Sequence, residues 1–92
     1  MDARAAPRLA ALSEEIAGAR AELAIARDLL AERDVTLEDC QLRMLIAETP
    51  LADRELHRAA TVRARARAEV ERLELSLASL HDEESRLVGG QA

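Results

Sequence analysis

The sequence predicts an all-α chain, with two long helices folded back as an antiparallel coiled-coil hairpin that associates into a four-helix bundle. Three observations carry this expectation. Ala, Leu, Glu and Arg dominate the 92 residues, and Phe, Tyr and Trp are absent; that is the composition of a long helix, not of a core anchored on aromatics. Large apolar residues recur every seventh position through the first half of the chain. That frame then fails at Pro50, and a second one begins.

The first helix is expected over about 7–48. Leu9, Ile16, Leu23, Leu30, Leu37 and Met44 fall seven apart and occupy position a of successive heptads. Position d is then Leu12, Ala19, Ala26, Arg33, Cys40 and Ala47. A large residue at every a over six heptads marks a coiled-coil seam. Pro7 suits the first turn, where its missing N–H leaves no hydrogen bond unmade. Gly18 weakens the helix locally, by about 1 kcal/mol relative to Ala.

The turn is expected at about 48–50. Continuing the first frame would place Arg58, Arg65 and Arg72 in the seam. A new frame restores apolar character, with a at Leu56, Arg63, Val70, Leu77 and Glu84, and d at Ala52, Ala59, Ala66, Leu73, Leu80 and Leu87. Thr49 precedes a proline, which disfavours the helical region, and its hydroxyl can cap. Pro50 can be the first residue of a second helix running to about 88. Gly89 is the expected left-handed cap.

A short connection between two amphipathic helices makes a hairpin in which facing residue numbers sum to about 99 or 100. Leu23 then faces Leu77, Leu30 faces Val70 and Met44 faces Leu56, while Ala19 and Ala26 face Leu80 and Leu73. Charge favours the same pairing. Asp28, Glu32, Asp34, Glu38 and Asp39 lie beside Arg58, Arg63, Arg65 and Arg67. Exposed pairs are individually worth under about 1 kcal/mol, but opposite zones help select register.

One stripe is left over. With Leu37, Cys40 and Met44 in the seam, Val35, Leu42 and Ile46 project from the far side of the first helix and Leu45 from its flank. Leu51 and Val62 occupy a similar face of the second helix. A lone hairpin cannot bury these six, and a single seam is a thin core for so small a chain. Association covers them, either with a second copy near the hairpin tip or with a different protein.

Residues that could carry chemistry are few. Arg33 and Arg63 fall at seam positions, where a polar group sets register and its head reaches out along its own stem. With Arg67 they form the candidate anion-binding set, for a small anionic molecule or a nucleotide. In "RARAR", residues 63–67, Arg65 points away from Arg63 and Arg67, so no continuous basic face results. A formal net charge of −5 and the absence of aromatics argue against nucleic acid. His57, His81 and Cys40 lack metal-ligand spacing. Asp82, Glu83 and Glu84 read as a solvated face. No glycine-rich loop or nucleophile elbow is present, so no catalytic residue, cofactor or metal is expected.

The longest uncharged run, residues 75–81, is too short for a membrane span. The first residues lack the apolar stretch of a signal peptide, and a single cysteine makes no intrachain disulfide. These point to a cytoplasmic, bacterial-type protein, and the use of Arg to the exclusion of Lys suits a GC-rich genome.

"LLAERD", residues 29–34, resembles the first-helix segment of the small all-helical chorismate mutases. That resemblance implies a substrate-binding role for Arg33 in a helical enzyme. The family also uses a lysine farther along this helix, and this chain contains none. The reading taken forward is a non-catalytic protein–protein interaction module, such as an adaptor, assembly subunit or regulator.

Overall fold

A computed structural model describes residues 4–90. Two helices account for all of these except Arg4, Glu48, Thr49 and Gly90. Helix α1 spans Ala5–Ala47 and α2 spans Pro50–Gly89, with no strand among the described residues. Pro7 lies in the first turn of α1, where its lack of an N–H costs nothing.

The break between the helices is built from two residues. Thr49 caps α2. Its Oγ1 accepts a hydrogen bond from the Ala52 amide at 3.1 Å, and its carbonyl accepts the Asp53 amide at 3.0 Å. Pro50 is the first helical residue, and Asp53 adds an acid near the positive end of the helix dipole. Glu48 ends α1. Its φ is 47°, in the left-handed region, and its amide donates to the Met44 carbonyl at 3.0 Å. This is the single-bond left-handed helix cap.

The left-handed residue was expected at Gly89 and stands instead at Glu48. Gly89 is helical, no described glycine has positive φ, and the Gly90 amide continues the helical pattern to the Arg86 carbonyl at 3.0 Å. The reason lies in Pro50. It forces Thr49 out of the helical region, so the chain must reverse at the residue before. A side chain at positive φ is strained by about 1–2 kcal/mol. Glu48→Gly is therefore expected to stabilise the chain by about 0.5–1 kcal/mol, read from the urea midpoint by circular dichroism. A fall in the midpoint would mean that the Glu48 carboxylate contributes more than its backbone strain removes.

Contacts divide the chain into two compact units, one pairing the residues up to Ala24 with those from Arg72 onward, the other comprising Ile25–Glu71. In the first, the buried residues are Ala5, Leu12, Ile16, Leu23 and Leu73. Arg8 joins the helices by donating from Nε and Nη2 to Glu83 Oε2 at 2.9 and 2.6 Å. That hydrogen bond, with the nearby Glu15 and Glu83 charges, holds the Arg8 guanidinium pKa above its ordinary value against the opposing effect of desolvation. A register set by Thr49 and Pro50 would place Arg8 opposite about residue 91 or 92. The Arg8–Glu83 pair thus departs from the expected register, while Ala19 and Leu80, expected to face each other, line one cleft of this unit.

In the second unit the buried residues are Ala26, Cys40, Ala52, Ala59, Ala66 and Val70. Arg63 Nε donates to Asp34 Oδ1 at 2.7 Å, and Arg43 lies 3.5 Å from Glu55. Numbers rise on one helix as they fall on the other, so α1 and α2 are antiparallel here, as in the expected hairpin. Each partner lies one to three residues nearer the turn than expected, because α1 ends at Ala47 and the chain pivots on Glu48.

Among the described residues, ten of the eleven that are buried fall at a or d of the two predicted frames, and Ala5 stands one heptad before Leu12. Alanine buries wholly in a two-helix seam because it is small. The larger Leu30, Leu37, Met44 and Leu56 are only half-buried, since a seam between two helices covers them from one side. Ala47, the last expected seam residue, is exposed at the end of α1.

Candidate interaction surface

The Ile25–Glu71 unit contains the exposed apolar stripe. Val35, Leu42, Leu45, Ile46 and Leu51 are 58, 58, 75, 85 and 57% exposed. Val62, expected with them, is half-buried in the wall of a cleft. Ile25 and Leu29, also exposed, extend the same face of α1 toward Ala24 and were not anticipated. The signal was available, because Ile25 stands at the same heptad position as Ile46 and adjoins Leu29 one turn on. Leu75 and Val88 are exposed in the other unit.

Two clefts run along one side of this unit. One, of about 270 Å³, lies between Arg33, Thr36, Cys40 and Arg43 of α1 and Glu55, Arg58, Ala59 and Val62 of α2. The second, about 260 Å³, is lined by Ile46, Thr49, Leu51 and Ala52 and shares Arg43 and Glu55 with the first. Small residues cause both, for Cys40, Ala52 and Ala59 leave room where leucines would fill the seam. Together the clefts form a trough that opens on the apolar residues nearest the turn.

The arginines do not converge. Arg63 leaves the seam toward Asp34, and Arg67 pairs with Glu71 at 3.2 Å. Arg33 is half-buried in the cleft wall beside Arg43 and Arg58. Arg33 and Arg63 thus have different surroundings although both occupy seam positions. The head group of a long side chain goes to a carboxylate within its reach, and Arg63 finds one in Asp34 of the opposite helix.

The remaining candidates are locally occupied. His57 Nδ1 lies 2.9 Å from the Asp53 carbonyl, and His81 lies 3.7 Å from Glu84. Cys40 is a free, buried thiol. Among the described residues no cluster of three or more His, Cys, Asp or Glu could hold a metal ion. No described helix is long and apolar enough to cross a membrane. The chain matches no protein-family model, no curated protein and no solved structure.

Proposed function

We propose that the chain is a non-catalytic helical-hairpin module for protein–protein interaction, which self-associates near its turn into a four-helix bundle. One observation carries this reading. The turn-proximal unit buries mainly alanine, with Val70 its one branched aliphatic core residue, and leaves six large aliphatic side chains more than half exposed. An apolar surface of that kind, beside so thin a core, is stabilised by a partner. Adaptor, assembly-subunit and regulatory roles all follow from such a surface.

The test is molar mass by light scattering after size exclusion, over a concentration series. A mass of two or more chains that falls on dilution is the expected result. A single-chain mass throughout would replace self-association with a foreign partner.

A second reading is a regulator that holds an anionic small molecule. The cleft favours it, because half-buried Arg33 has Arg43 and Arg58 beside it. Against it, Glu55 stands in the same wall and engages Arg43. Raised thermal stability with added inorganic phosphate, lost in Arg33→Ala, would support this reading.

A further inference from the structure

We infer that the second copy docks on the trough side of the Ile25–Glu71 unit about a two-fold axis parallel to the helices, so that α1 of each copy lies on α2 of the other. The inference rests on the self-association reading and adds its geometry. It begins with a row of like positions. Ile46 and Leu51 line one cleft and Arg58 lines the other. Seven residues return a coiled-coil helix to nearly the same face. Asp39 and Glu32 therefore share the side of α1 marked by Ile46, and Arg65 shares the side of α2 marked by Arg58. All six are exposed. In this row α1 contributes acids and α2 contributes arginines, with an aliphatic residue nearest the turn on each, while Arg43 and Glu55 of the cleft walls pair with one another.

Among the described residues, the side chains of Glu32, Asp39, Arg58 and Arg65 make no ion pair, whereas Asp34, Arg43, Glu55, Arg63 and Arg67 do.

Two-fold symmetry then leaves two arrangements of this face against itself. An axis across the helices sets α1 on α1 and α2 on α2, acid against acid and arginine against arginine. An axis along the helices sets α1 on α2 of the second copy, with both turns at the same end. Only the second arrangement opposes unlike charges.

The register agrees residue by residue. Asp34 meets Arg63 within the chain, which fixes a common height on the two helices. Two residues away from the turn on each helix lie Glu32 and Arg65. Five residues toward it lie Asp39 and Arg58, and twelve toward it lie Ile46 and Leu51. An axis along the helices preserves height. Glu32 therefore meets Arg65 of the second copy, Asp39 meets Arg58 of the second copy, and Ile46 meets Leu51 of the second copy, each contact occurring twice.

The test uses charge reversal and mixing. Glu32→Arg/Asp39→Arg leaves this side basic on both helices, and Arg58→Glu/Arg65→Glu leaves it acidic on both. Each variant alone is expected to dimerise on the order of a hundredfold more weakly than the natural chain. An equimolar mixture of the two is expected to recover the dimer mass as a mixed pair, detected by native mass spectrometry. All four positions are exposed, so helicity by circular dichroism should persist. Should a variant lose helicity, the natural chain supplies a second measurement, because its dimer should weaken as sodium chloride is raised. A natural chain that is monomeric at every concentration would overturn self-association itself. A natural dimer would leave that reading standing while the arrangement is overturned by any of three results: reversed variants that still dimerise alone, a mixture that fails to pair, or an affinity insensitive to salt.

Discussion

A chain carrying Leu42→Glu and Ile46→Glu is expected to run as a monomer at concentrations where the natural chain is a dimer. Both side chains are more than half exposed on α1, so the exchange leaves the seam within each chain intact. In a two-fold assembly it introduces four carboxylates at or beside the contact. Desolvating unpaired charges costs several kcal/mol, and about 4 kcal/mol weakens a micromolar dimer roughly a thousandfold. Leu75→Glu is the matched control. Leu75 is 74% exposed but belongs to the other unit, so that variant should keep the natural mass. Leu23→Glu is the opposite control, for Leu23 is buried and a carboxylate there should cost helicity at any concentration. If the natural chain is a dimer and the Leu42/Ile46 variant remains one, the interface lies elsewhere on the molecule.

The second large effect is in the seam. Among the described residues Leu12 is the one fully buried large side chain, with no exposed surface. Leu12→Ala removes its methyl groups and leaves a cavity, which costs about 2–5 kcal/mol. For a chain with so few buried aliphatics that is a large part of the total stability. The expected result is a marked fall in the urea midpoint, followed by circular dichroism at one fixed protein concentration, because association and folding are linked. Leu75→Ala, the same change at an exposed site, should move stability by under about 0.5 kcal/mol. Equal losses from the two would show that Leu12 does not occupy the core of its unit.

The heptad spacing of Leu9 to Met44 was enough to place a first helix, and the phase change at Pro50 was enough to end it. The buried set followed from the same counting, because a period of seven is local and needs no knowledge of the opposite helix. Most of the exposed stripe was legible for the same reason, although Val62 proved half-buried and Ile25 and Leu29 joined it unexpectedly. Residues a third of a turn or more from the seam cannot be covered by a single partner helix, whatever its sequence. Hydroxyl capping by Thr49 and initiation at Pro50 were likewise matters of adjacent residues.

Tertiary structure decided what depends on neighbours far along the chain. The left-handed position fell on Glu48, not on either terminal glycine, because reversing into a proline constrains the residues before it more strongly than glycine invites a cap. Arg63 went to Asp34, while Arg33 remained in a cleft wall; like side chains at seam positions, one at a and one at d, ended in different surroundings because Asp34 stood opposite Arg63. The trough itself arose from Cys40 facing a seam of alanines, a coincidence of small residues contributed by two helices. Periodicity determines which side of a helix turns inward, since it is a property of one helix. Where a charged head comes to rest, and where two small residues leave a gap, are properties of two helices in register, and they emerge only once the chain has folded back on itself.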